Sequence, residues 1–171
     1  RYFNVYGPRQ SASGAYASVV PKFIEFRQKN EPLLITGDGE QTRDFVNVKD
    51  IVSANISAMK GDKVGSGEII NIGGIEPTSV RELAEVIVGC FSEYPRPEII
   101  QLPPRPHEVA RAWCTVDKSI KILDYKETVG WKEGITRTAE WAKKIGARPW
   151  AVDDLPLLSE KAPKPWLDLA R

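Results

Sequence analysis

The opening run Arg1-Tyr2-Phe3-Asn4-Val5-Tyr6-Gly7-Pro8 constrains the fold more than any other feature of the chain. Aromatic and β-branched residues favour strands, and a glycine-proline pair ends a regular element. A second turn signal, Gly37-Asp38-Gly39-Glu40, separates two further apolar stretches, residues 33–36 and 45–48. Short strands closed by sharp turns, with longer helical segments between them, indicate an α/β protein.

Helical periodicity fills the segments between the strands. The clearest helix begins at a capping box formed by Ser79 and Glu82, with Thr78 as an alternative N-cap. We predict helices over residues 18–29, 50–59, 80–91 and 135–145, and a short one capped by Asp117 or Ser119. We predict strands over residues 1–5, 33–36, 45–48, 68–72 and 99–102.

Composition restricts the classes of function. The chain has 171 residues, of which 42% are hydrophobic and 27% are charged, so that it can bury one sizeable core. Its formal net charge of +1 gives no electrostatic reason to expect nucleic acid or an anionic membrane as a partner. No apolar run approaches the roughly 18 residues of a membrane span.

The two cysteines, Cys90 and Cys114, stand far apart in apolar surroundings and have no metal-ligand spacing. We interpret them as buried free thiols in a reducing compartment, with a disulfide as the alternative. No signal peptide is recognised at the start of the sequence. Together these features predict a cytoplasmic protein that holds no metal.

Six motifs follow one another along the chain: residues 1–10, residues 13–22, Gly37–Glu40 with Arg43-Asp44-Phe45, Asn71-Ile72-Gly73, Arg105-Pro106-x-Glu108, and residues 133–141. In this order they resemble the second half of an extended short-chain dehydrogenase/reductase of the NAD-dependent nucleotide-sugar epimerase and dehydratase family. Residues 14–21 look most like 4-epimerases that act on UDP-hexoses or UDP-N-acetylhexosamines. The resemblance implies an α/β fold: the trailing strands and helices of a Rossmann-type sheet plus a small α/β substrate-binding domain.

The resemblance also implies a site for a nucleotide diphosphate. Arg43 and Arg105 match the two arginines that bind the diphosphate, and a guanidinium group suits paired phosphate oxygens better than an ammonium does. Asn4 matches a residue that reaches the diphosphate or the sugar; a bond to neighbouring backbone is its structural alternative. Glu108 matches an acidic residue that accepts hydrogen bonds from the ribose hydroxyls.

The remaining substrate residues surround the base. The family pattern implies that Ala17, Ser18, Val19 and Val20 lie against the uracil, that Lys22 reaches the nucleotide, and that Leu34, Ile35 and Thr36 flank the base and ribose. A plain loop-to-helix junction is the alternative for the first of these segments. Tyr2 matches a residue near the nicotinamide of NAD. His107, the only histidine, stands where the family pattern has glycine, which puts the backbone shape of this loop in question.

The parts of the family that perform the reaction are absent from the sequence. No glycine-rich strand-to-helix turn occurs, and none of the five tyrosines is followed four positions later by a lysine. The intact family enzyme is an isomerase that uses NAD, whereas we expect this chain alone to be inactive and to bind no NAD. A nucleotide-sugar dehydratase or decarboxylase fragment, and a non-catalytic self-associating remnant, are the alternatives.

We divide the chain into residues 1–146, the substrate-binding portion, and residues 147–171, an arm that contains proline and tryptophan. The predicted strands 1–5 and 68–72 match strands of the Rossmann sheet. Without the other strands of that sheet, their edges and apolar faces invite pairing with a second copy. We therefore expect a homo-oligomer that binds UDP or a UDP-sugar.

Overall fold

The computed structural model describes residues 1–13, 17–62, 65 and 67–146, so that the predicted arm 147–171 lies outside the described residues. The helices in this part are α1 Val19–Gln28, α2 Val48–Lys60, α3 Val80–Cys90, α4 Asp117–Leu123 and α5 Trp131–Ile145. The strands are β1 Val5–Tyr6, β2 Leu33–Thr36, β3 Thr42–Arg43, β4 Val46–Asn47, β5 Thr78–Ser79, β6 Ile99–Leu102 and β7 Arg111–Ala112. This order confirms the predicted α/β class.

The described strands form three small sheets. β1 pairs in parallel with β4, and β2 pairs in parallel with β6, from Leu33 opposite Ile99 to Thr36 opposite Leu102. The third sheet has the order β5-β3-β7, in which β3 is antiparallel to β5 and parallel to β7. Parallel pairs bring distant segments side by side, because each needs a long connection.

The main hydrophobic core lies between α1, α3, α5 and β2. Its members include Phe23 of α1, Leu33 of β2, Ile87 of α3 and Ile135 of α5, all 2% exposed or less. The predicted capping box of α3 is present, with Ser79 and Glu82 satisfying each other's backbone N–H groups. A smaller cluster packs α2 and α4 around Val46.

Three predicted strands are shorter than expected. Of residues 45–48, only Val46–Asn47 forms a strand, because Asn47 is the N-cap of α2 and Val48 is the first residue of that helix. Residues 1–5 do not form one strand: Tyr2 makes an isolated parallel bridge with Ile72, and β1 begins only at Val5. Asn4 interrupts the run because its φ of 42° lies in the left-handed region, where a strand cannot continue. In the predicted strand 68–72, only Ile72 forms a bridge.

Helix α5 begins at Trp131, four residues before the predicted start at Ile135. The extra turn packs closely on β1, where the Tyr6 hydroxyl donates a hydrogen bond to the Trp131 carbonyl over 3.2 Å. Gly134 permits this approach, since a Cβ at that position would overlap the Tyr6 hydroxyl. Burial raises the pKa of Tyr6 to about 12, so that this hydroxyl stays protonated as a donor.

Candidate functional site

A cavity of about 510 Å³ lies where the start of α1, the ends of β2 and β6, and strand β3 meet. Every substrate residue predicted from the sequence except Val20 lines it: Asn4, Ala17, Ser18, Val19, Lys22, Leu34, Ile35, Thr36, Arg43, Arg105 and Glu108. Val20 is 1% exposed and packs into the main core instead. The fold therefore brings together residues that lie as far apart in the chain as Asn4 and Glu108.

The charged groups of the cavity are unbalanced. Among the described lining residues, Lys22, Arg43 and Arg105 are cationic and Glu108 is the one carboxylate, which leaves a formal excess of two positive charges. The Arg43 guanidinium donates to the Thr42 carbonyl over 2.8 Å, and its Nη2 lies 3.5 Å from Glu108 Oε1. The arrangement suits a ligand with two negative charges.

Arg105 and Glu108 stand at the two ends of one tight turn. The Glu108 N–H donates to the Arg105 carbonyl over 3.3 Å, Pro106 occupies the second position, and His107 has a φ of 62°. A proline followed by a residue with positive φ is typical of a type II turn, which favours glycine at His107. The loop thus keeps a glycine-type conformation, which costs a residue such as histidine about 1–2 kcal/mol.

The start of α1 forms a polar edge of the cavity. Ser18 is the N-cap, yet its side chain caps no backbone N–H. Its buried hydroxyl has no hydrogen-bond partner among the residues that the structure describes. The unpaired N–H groups of the first turn carry partial positive charge, as at other helix starts that bind anions. Lys22 adds a full charge one turn further on.

Several lining residues were not predicted from the sequence. Phe23 and Phe26 of α1 and Phe45 form apolar wall, while the Gln41 amide donates to the Thr36 carbonyl over 2.9 Å. The sequence pattern indicated Phe23 only as a core residue, and the structure shows that it also faces the cavity. The remaining unpredicted lining residues are Val5, Val80 and Leu102.

Asp44 is a buried carboxylate that holds the cavity wall together. It is 1% exposed, and its two oxygens accept from the Asn4 side-chain amide over 2.5 Å and from the Cys114 backbone N–H over 2.9 Å. Burial, and secondarily the Asp44 charge, raises the pKa of the Cys114 thiol to about 12. The Asn4 Nδ2 also points to the Ala112 carbonyl at 3.4 Å, which leaves the Asn4 oxygen to accept a bond from a ligand.

Tyr2, the residue predicted to lie near the nicotinamide, is outside this cavity. Its hydroxyl donates to Asn55 Oδ1 over 2.7 Å, and it lines a second cavity of about 480 Å³ beside α2. A dinucleotide site needs a glycine-rich turn between a strand and a helix. In residues 1–13, 17–62, 65 and 67–146, no glycine pair stands between a strand and the helix that directly follows it.

None of the described helices is long and apolar enough to cross a membrane. Within the same part of the chain, no group of three or more His, Cys, Asp or Glu side chains is placed to hold a metal ion. Cys90 and Cys114 are both free thiols.

The role of Asp44 leads to a stability prediction. In Asp44→Asn, an NH₂ group replaces one of the two carboxylate oxygens. This group faces either the Asn4 amide or the Cys114 N–H, and because both are donors, one of the two hydrogen bonds is lost. We expect the free energy of unfolding to fall by about 1–3 kcal/mol, measured by urea denaturation. Asp38→Asn is the matched control, because the Asp38 side chain accepts a single N–H, that of Glu40, in an exposed turn and an asparagine side chain can do the same. Equal stability of the two variants would contradict this role.

Comparison with known proteins places this arrangement in a family. Residues 1–73 match the model of the NAD dependent epimerase/dehydratase family. A putative UDP-glucose 4-epimerase of Methanocaldococcus jannaschii is 41% identical over 143 residues, covering 84% of this chain and 44% of that protein. A UDP-N-acetyl-alpha-D-glucosaminuronate decarboxylase of Bacillus cytotoxicus is 37% identical over 151 residues, covering 85% of this chain and 46% of that protein.

The solved structures agree with these sequence matches. The UDP-glucose 4-epimerase of Thermotoga maritima, solved with UDP-glucose, superposes with a TM-score of 0.76 at 36% identity, covering 85% of this chain and 45% of that one. The chain thus spans less than half the length of each of these three relatives. Over the matched residues, the chain is similar in sequence and in structure to the NAD-dependent epimerase/dehydratase family.

Proposed function

We propose that this chain is the UDP-sugar-binding portion of an NAD-dependent nucleotide-sugar 4-epimerase. The observation that carries the proposal is the convergence of Arg43, Arg105 and Lys22 on one cavity that has a single described carboxylate. The diphosphate of a nucleotide-sugar carries two negative charges, which equals the formal excess of positive charge in that cavity. Relatives whose names specify UDP-sugars support this choice of ligand.

Each wall of the cavity has a proposed role. Arg43 and Arg105 bind the diphosphate, and the start of α1 adds backbone N–H groups and the Ser18 hydroxyl. Glu108 accepts from the ribose hydroxyls. The base lies between the start of α1 and the backbone of β2, and the side-chain oxygen of Asn4 accepts from a hydroxyl of the sugar.

In this proposal the chain orients the substrate and supplies no catalytic residue. The chemistry of the family requires hydride transfer to NAD and a base that takes a proton from a sugar hydroxyl. The sequence contains neither a Tyr-x-x-x-Lys pair nor a glycine-rich dinucleotide turn. The contribution of these residues to rate is therefore positioning, which lowers the entropic part of the barrier.

A dehydratase or decarboxylase is the alternative within the same substrate class. The Bacillus cytotoxicus decarboxylase aligns over as much of the chain as the epimerases do. Residues that bind the diphosphate can serve epimerases, dehydratases and decarboxylases equally, because these reactions change bonds of the sugar and leave the diphosphate intact. The proposal of a nucleotide-sugar ligand does not depend on which reaction is correct.

Calorimetric titration of the full chain with UDP and with uridine tests the proposed clamp. We expect UDP to bind at least tenfold more tightly. Because a hydrogen bond to a charged group contributes about 1.5–3 kcal/mol, Arg43→Gln and Arg105→Gln should each weaken UDP binding by roughly tenfold to a hundredfold and leave uridine binding unchanged.

Arg81→Gln is the control for this titration, since Arg81 pairs with Glu40 on the surface and does not line the cavity. We expect it to bind UDP as the unmodified chain does. The same samples, given UDP-glucose and NAD, should form no epimer. Equal affinity for UDP and uridine in the unmodified chain would overturn the clamp, and turnover would overturn the view that the chain lacks catalytic residues.

Self-association is a second candidate function, and the exposed face of α2 favours it. Val52, Ile56 and Met59 are 51%, 46% and 86% exposed, and Ile69 nearby is 57% exposed. Helix surfaces of this apolar character are typical of contact sites.

Sedimentation velocity at micromolar concentration tests this candidate. We expect a dimer or a larger species, and we expect Ile56→Lys combined with Met59→Lys to shift it to the monomer, because two charges would then be buried in the contact. A monomer at every concentration of a tenfold dilution series would contradict self-association.

A further inference from the structure

Glu108 carries a negative charge, whereas the other charged side chains among the described lining residues of the cavity are positive. Its Oε1 lies 3.5 Å from Arg43 Nη2, and the side chains of Arg43 and Glu108 are 18% and 25% exposed. Arg43 belongs to the proposed diphosphate clamp, yet it forms an ion pair with a carboxylate of the same chain. A carboxylate beside an anion-binding arginine opposes the binding of any anion there.

The chemical groups of the ligand determine whether the repulsion between the Glu108 carboxylate and a bound anion is compensated. An anion that approaches Arg43 must lie close to the Glu108 carboxylate or displace it from the ion pair. A simple phosphate or pyrophosphate ion brings no group that donates a hydrogen bond to the displaced carboxylate. A ribonucleoside diphosphate brings the two ribose hydroxyls, which can donate to it.

We propose that Glu108 is a specificity-determining residue: as the counter-ion of Arg43, it excludes phosphate anions that lack a ribose and admits ribonucleoside diphosphates. This inference rests on the proposed nucleotide clamp and adds discrimination among anions to it. Specificity of this kind comes from an unfavourable interaction with the wrong ligand as much as from a favourable one with the right ligand.

The turn that carries Glu108 fixes its position. Arg105 and Glu108 are joined by a backbone hydrogen bond of 3.3 Å, and the ring of Pro106 restricts the turn further. Arg105, which binds the ligand in this proposal, and Glu108, which selects it, therefore belong to the same hydrogen-bonded turn. Both residues line the cavity, so that a ligand in contact with Arg105 shares the cavity with the Glu108 carboxylate.

The Glu108→Gln variant tests the proposal by calorimetry with three probes: inorganic pyrophosphate, uridine and UDP. We expect the affinity for pyrophosphate to rise about fivefold, because a partly exposed ion pair contributes up to about this factor. We expect uridine to bind about fivefold more weakly, since the amide is a poorer acceptor for the ribose hydroxyls. UDP should change less than either probe, because the two effects oppose each other.

Two controls separate charge from packing. Glu40→Gln removes a more exposed carboxylate, from the Arg81 pair outside the cavity, and should leave all three affinities unchanged. Glu108→Asp keeps the charge and shortens the side chain, so that pyrophosphate should remain excluded. In the double variant with Arg43→Gln, the gain of pyrophosphate affinity caused by Glu108→Gln should disappear.

An unchanged or lower pyrophosphate affinity in Glu108→Gln would overturn the proposal, as would an equal gain in Glu40→Gln. These outcomes are distinct from a failure of the proposed function, which would appear as equal binding of UDP and uridine by the unmodified chain. The affinity for pyrophosphate tests the role of Glu108 in either case, because pyrophosphate contains no nucleoside.

Discussion

The structure of the candidate site depends on one buried carboxylate. Asp44 accepts hydrogen bonds from Asn4, next to the first strand, and from the backbone of Cys114, beyond the last. Arg43 before it lines the cavity, and Phe45 after it belongs to the main core. Three consecutive residues thus line the cavity, join its walls and anchor the segment. Because a buried carboxylate without donors is costly, the bonds from Asn4 and Cys114 stabilise this arrangement.

Hydrogen bonds within the chain position part of the cavity. The Arg43 side chain is held by the Thr42 carbonyl and by Glu108, and the backbone of Arg105 is held by the turn to Glu108. Groups fixed in this way lose less conformational entropy on binding than free side chains do. The strained φ of His107 fits the same view, because a turn that orders two functional side chains is a place where backbone strain is retained.

Local sequence signals were sufficient for much of the fold. β2 and β6 have the predicted bounds, α1 differs by one residue at each end, and the α3 capping box formed as its residues indicated. These elements are specified by neighbours within a few positions. The opening strand was wrong because the left-handed conformation of Asn4 follows from its contacts with Asp44 and Ala112, which lie far along the chain.

The site was predicted through family motifs, and periodicity alone could not have assembled it. Asp44 received no role, although it lies inside a recognised motif, because nothing in the pattern specifies its two distant donors. The Arg43–Glu108 ion pair was not predicted either. The family pattern assigns each of these two residues to a part of the ligand and says nothing of a contact between them.

A crystal structure of the chain with UDP-glucose tests the central claim, that these residues form a diphosphate clamp. We predict phosphate oxygens at about 3 Å from the guanidinium groups of both Arg43 and Arg105, with the ribose hydroxyls against Glu108. A nucleotide bound in the second cavity beside Tyr2, or a diphosphate in contact with neither arginine, would contradict the account.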